Sequence, residues 1–165
     1  MAGAEHPEEL KRTLLQFVSS ELTAHAATVV GISVLLFTAV NVFTRENFLP
    51  AIHFPMQLVI SKITFDYAVV FFVFWMLCAG FTYSFMRLMF YGALADEILD
   101  LKGFSPSNLE DLRNKIAEKI AEKRGMEKVI TWFSGGIGWG SSGFRFSLLI
   151  GLSVDVILFV VLFIN

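Results

Sequence analysis

The stretch GLSVDVILFVVLFIN, residues 151–165, sets the class of this chain. Aliphatic and aromatic side chains fill it, yet Asp155 places a carboxylate among them. The apolar run extends back to Phe144, so 144–164 reaches the roughly 20 residues that carry an α-helix across a hydrocarbon core of about 30 Å. Two more runs have that length: LTAHAATVVGISVLLFTAVNVF at 22–43 and YAVVFFVFWMLCAGFTYSFMRLMFY at 67–91. The expectation is an all-α integral membrane protein. It has three transmembrane helices, an amphipathic N-terminal helix, and an inner-side helical hairpin loop between spans two and three.

Composition agrees with that class. Of 165 residues, 55% are hydrophobic and only 17% charged, more apolar than the usual globular half; the mean hydropathy is +0.65. A net charge of −2 argues against nucleic acid as a partner, since no basic surface offsets the phosphates. The single cysteine, Cys78, excludes an intramolecular disulfide framework and sits in an apolar run, where packing is its expected role. The 22–43 run is too long for a cleaved signal and no small-residue cleavage motif follows it. MAGAEH lacks the glycine needed for myristoylation and FIN is no prenylation signal, so anchoring falls to the helices themselves.

Lysine and arginine in the flanking loops set orientation. Between the first two spans lie only Arg45 and Lys62. The loop between spans two and three carries Lys102, Arg113, Lys115, Lys119, Lys123, Arg124 and Lys128, with Arg87 and Arg145 at its margins. That loop and the N-terminus, with Lys11 and Arg12, are expected on the cytoplasmic (or matrix) side and the C-terminus on the opposite side.

The remaining segments follow from local patterning. Residues 1–21 include EELKRTLLQFVSSE, where Leu10, Leu14, Phe17 and Val18 recur at helical spacing. They form an amphipathic helix at the inner interface or a plain extension of the first span; periodicity does not separate the two. The outer loop, 44–66, is apolar and broken by Pro50 and Pro55, so it should lie against bilayer or partner. Residues 92–143 form the inner helical loop with a Gly/Trp-rich re-entry. ADEILDLKG continues the second span through Leu94, Ile98 and Leu101 to a stop at Gly103. A second helix opens at SPSNLE, with Ser105 before Pro106 and a Ser107–Glu110 capping box, and runs to Arg124 before Gly125. Its apolar stripe is Leu109, Leu112, Ile116 and Ile120. Trp132 and Trp139 read as headgroup-level belt residues.

No catalytic set is visible. Glu110, Asp111, Glu118 and Glu122 read as the solvated face of a helix. Gly138 to Gly143 spell G-x-G-x-x-G, but the motif needs a strand before it and a βαβ unit around it. His53 has no further ligands at useful spacing. His25, a turn inside the first span, reads as a hydrogen-bonded interfacial residue. The chain is expected to be no enzyme, with no cofactor and no metal site.

Counting back by four from Asp155 gives Gly151, Ser147 and Gly143. Such a small-polar stripe lets helix backbones approach closely, so Asp155 should face protein rather than lipid. At similar depth the first span offers Gly31 and Ser33, and the second Cys78, Gly80 and Thr82. Gly80, Ser84, Arg87 and Tyr91 share one stripe of the second span, with Arg87 about one to two turns nearer the inner surface. These residues form the candidate helix-packing or pore set. The expected partners are the lipid bilayer and other membrane subunits or copies of the chain. Two functions fit: a non-catalytic structural or accessory subunit of an oligomeric membrane complex with Asp155 as buried polar anchor, or a homo-oligomeric cation channel with Asp155 in the pore.

Overall fold

A computed structural model describes residues 7–43, 59–60, 63–100, 109–122, 125, 129–134, 138 and 140–163. Pro50, His53, Pro55, Lys62, Leu101, Gly103, the Ser105–Pro106–Ser107 cap and Trp139 lie outside the described residues, and the side chains of Leu109 and Leu112 are likewise not described. Among the described residues the fold is α-helical apart from one small hairpin.

Helix α1 runs over Pro7–Phe43. Proline suits a first turn because the missing N–H would have no intrahelical partner, and Glu8 and Glu9 there complement the helix dipole. The helix passes through residues 21 and 22 without a break, so the amphipathic segment and the first apolar run belong to one helix. No glycine or proline stands where the polarity changes, and polarity alone does not interrupt a hydrogen-bonded ladder.

Two-residue strands β1, Val59–Ile60, and β2, Ile63–Thr64, pair antiparallel with Val59 opposite Thr64 and Ile60 opposite Ile63. Helix α2 follows at once over Phe65–Asp100, 36 residues long. Helix α3 covers Leu109–Glu122; past it, Gly125 takes a φ of 79° that favours glycine. A single 3-10 turn, Thr131–Phe133, precedes helix α4, Ser142–Phe163. Ser141 caps α4: its Oγ accepts from the Phe144 N–H at 3.3 Å and donates to the Gly138 carbonyl at 3.0 Å. Helices α1 and α2 are each long and apolar enough to cross a membrane.

The chain divides into two units. The first, Met1–Ala27 with Ser84–Phe144, is built from amphipathic rows spaced by four. Leu10, Leu14 and Val18 of α1 are buried, as are Phe90, Leu94 and Ile98 of α2 and Ile116 and Ile120 of α3. Tyr91, Ile130 and Phe133 complete this core. Of the N-terminal stripe of α1, Leu10, Leu14 and Val18 are covered by protein and Phe17 is exposed. Each such side chain contributes about 1.5–3 kcal/mol on burial. Lys119 pairs with Glu97, which ties α3 to α2, and the Lys11 ammonium reaches the Leu99 carbonyl at 3.4 Å.

The second unit, Thr28–Tyr83 with Arg145–Asn165, contains few charges: Arg45, Glu46, Lys62, Asp66, Arg145 and Asp155. Among its described residues many large side chains point away from the protein, with Val30, Val34, Leu35 and Phe37 of α1 all exposed. Phe72, Val73 and Met76 of α2 and Leu149, Leu152, Val156 and Ile157 of α4 are exposed as well. What it buries is mostly small or polar: Cys78, Ala79, Ser147 and Asp155, beside Phe74 and Tyr83.

Candidate functional site

In the second unit the row on α4 fixes the geometry. Ser147, Gly151 and Asp155 are buried, and the intervening Leu149, Ile150, Leu152 and Val154 are exposed. Gly151 lies backbone to backbone with Ala79: a β-carbon there would stand 2.7 Å from the Ala79 nitrogen and 2.9 Å from its Cα. Only glycine fits without a helix shift. Four residues before this contact on α2, the Trp75 indole N–H donates to the Leu148 carbonyl at 2.9 Å. That bond satisfies the donor a large interior indole must place somewhere.

Asp155 ends the row at 3% exposure, and its Oδ2 has no hydrogen-bond partner among the described residues. Cys78 is within electrostatic range of it. An unpartnered buried polar oxygen costs about 1–3 kcal/mol, so packing along the α2–α4 seam holds Asp155 in place.

The other small residues separate into different roles. Gly31 has open space where a side chain would go, and Ser33 is exposed. The Ser33 hydroxyl donates to the Val29 carbonyl at 2.7 Å and that of Thr82 to the Cys78 carbonyl at 2.9 Å, both within their own helix. Such back-bonding quiets a hydroxyl in apolar surroundings without linking helices. Gly80 faces the tip of Ile32, whose Cδ1 would be 3.3 Å from an added β-carbon. Sequence spacing groups these positions by depth; it does not assign neighbours to them.

The first unit holds a polar junction around Arg87. Its Nη1 donates to the Phe133 carbonyl at 2.6 Å, its Nη2 to the Tyr91 hydroxyl at 2.7 Å, and its Nε to His25 Nε2 at 3.5 Å. The Glu21 carboxylate lies 3.9 Å from Nη2 and 3.5 Å from His25 Nε2. The His25 and Tyr91 rings stack at 5.8 Å, and the guanidinium sits 4.9 Å from the Tyr91 ring centre. Ser84, on the same stripe of α2, is buried. Glu21 is not among the site residues expected from the sequence. Its signal is two i,i+4 pairs, Glu21–His25 and Arg87–Tyr91, but which pair meets which is a tertiary fact.

Gly143, also in this unit, is buried under the 3-10 turn; a β-carbon would come 2.7 Å from the Trp132 carbonyl oxygen and 3.0 Å from the Phe133 ring. With Ser141 as cap, Gly138 and Gly143 here serve a helix start. No group of three His, Cys, Asp or Glu that could hold a metal ion occurs among the described residues. No protein-family model, curated protein or solved structure matches the chain.

Proposed function

We propose that this chain is a non-catalytic subunit of a membrane protein complex, built on three spans with its N-terminus on the charged, inner side. The third span in this reading is α4, whose 22 residues extend about 33 Å, enough for the hydrocarbon core. The observation that carries the proposal is the second unit's reversed surface: long apolar side chains exposed, small and polar ones enclosed. In water such a surface would be an aggregation liability; in a bilayer it is the expected arrangement.

Asp155 acts in this reading as a polar anchor on the α2–α4 seam. Its burial beside Cys78 supports an anchor over a pore-lining ring, which would need the carboxyl group on a water path. With that row engaged inside the chain, association with other subunits falls to the apolar faces left exposed. On α1 no residue from Thr28 to Asn41 is fully buried, and Gly31 there leaves room for a close backbone. The test is the native mass of the protein after mild detergent extraction, with every co-purifying chain identified. A particle of several chains is expected. A lone 18.5 kDa chain, extracted from its native membrane, would overturn the subunit reading.

A further inference from the structure

We propose that His25 is a proton-operated selector at the Arg87 junction, holding Arg87 of α2 when neutral and turning to Glu21 of its own helix when protonated. One atom makes the choice. His25 Nε2 lies 3.5 Å from Arg87 Nε, which can only donate, and 3.5 Å from Glu21 Oε2, which as a carboxylate can only accept. A single ring nitrogen cannot serve both. Unprotonated, Nε2 offers a lone pair to Arg87, and the ring carries its proton on Nδ1. Protonated, Nε2 becomes a donor, so the bond from Arg87 is lost, two cations stand side by side, and Glu21 becomes the favoured partner. The proton comes from water and returns to it.

The surroundings make the exchange matter. Among the described residues, the charged and titratable groups facing His25 are Glu21 from α1 and Arg87 and Tyr91 from α2. The 3-10 turn adds the Phe133 carbonyl, which holds Arg87 from the far side. Arg87 stays bound to Phe133 and Tyr91 in either state. What changes is the direct His25–Arg87 bond between α1 and α2, made at high pH and lost at low pH, while the Glu21–Arg87 pair at 3.9 Å remains. Such a selector would operate whether or not the chain is a subunit of a larger complex.

The test uses the full chain in lipid vesicles with His6 and His53 replaced by Gln, which leaves His25 as the one histidine for nitrogen-15 labelling. At about pH 8 the spectrum should show an unprotonated Nε2 and a protonated Nδ1, and acidification should protonate both. In parallel, the thermal midpoint of the wild type should fall by roughly 2–4 °C between pH 8 and pH 5, about the shift one hydrogen bond is worth in a chain of this size. His25→Gln keeps an acceptor near Nε2 and cannot charge, so that added fall should vanish. A proton on Nε2 at pH 8, or the same pH response in wild type and His25→Gln, would overturn the proposal. Because the spectrum is read on a chain that retains His25, it decides the question even if His25→Gln folds poorly.

Discussion

The two units follow opposite rules of burial. In the first, Leu10, Leu94, Ile98, Ile120 and Phe133 are enclosed, and charged residues such as Glu8, Asp96 and Glu118 face outward. In the second, Phe37 is 73% exposed and Leu149 64%, while Asp155 and Ser147 are enclosed. Hydrophobic burial stabilises the first. In the second, on the proposed membrane reading, it would have little to act on, because surroundings as apolar as the side chains remove the difference between inside and outside; close backbone contact and a few polar bonds remain. The difference teaches that a continuous helix such as α1 can serve both rules along one length, changing its packing logic without changing its backbone.

The widest gap should appear on removing an aromatic ring from each unit. Phe133→Ala opens a cavity in the first core and should cost about 3–5 kcal/mol, read as a shifted SDS-unfolding midpoint in mild detergent micelles. Phe37→Ala, from the second unit, should stay within about 0.5 kcal/mol. Equal costs would mean that the two units share one burial rule.

Smaller effects should come from glycine, and they sharpen what holds the second unit. Gly151→Ala drives a methyl into the Ala79 backbone and should cost about 1–3 kcal/mol in the same unfolding assay. Gly31→Ala meets open space and should be neutral or stabilising by up to about 1 kcal/mol, the helix-propensity gain. If the two substitutions behave alike, the backbone seam is not what orders α2 and α4.

The smallest effect concerns Asp155. Asp155→Asn should leave stability nearly unchanged, and Asp155→Leu, which removes a buried oxygen with no hydrogen bond among the described residues, should shift it by no more than about 1 kcal/mol in either direction. Planar-bilayer recording of the purified protein adds a separate readout. A cation current that fades in Asp155→Asn would favour the channel over the anchor.

Much of the helical framework is legible in the sequence because it is local. Rows spaced by four mark the face of α4 that carries Ser147, Gly151 and Asp155, and the rows of Leu94 with Ile98 and Ile116 with Ile120. Periodicity leaves open whether α1 passes unbroken through residues 21 and 22, because hydropathy changes there while helix propensity does not. The hairpin at Val59–Thr64 escapes a reading by pattern; two residues per strand are too few to establish a period. Gly31 and Gly151 are the same residue in similar apolar runs, and only the fold separates an open position from one seated against a backbone. The Arg87 junction is hidden for the same reason, since three of its partners arrive from other parts of the chain.

The seam between α2 and α4 carries a consequence for how the protein is made. Synthesis proceeds from the N-terminus, so the segment bearing Trp75 and Ala79 leaves the ribosome before Gly151 and Asp155 do. On the proposed topology, a lone helix with a central aspartate faces an insertion penalty of about 2.5–3.5 kcal/mol. Here the seat is synthesised before its occupant: Ala79 offers a flat backbone for Gly151, and Trp75 a donor aimed at the Leu148 carbonyl. On that topology the order of the helices along the chain would work as an assembly schedule, with α2 in place before α4 enters.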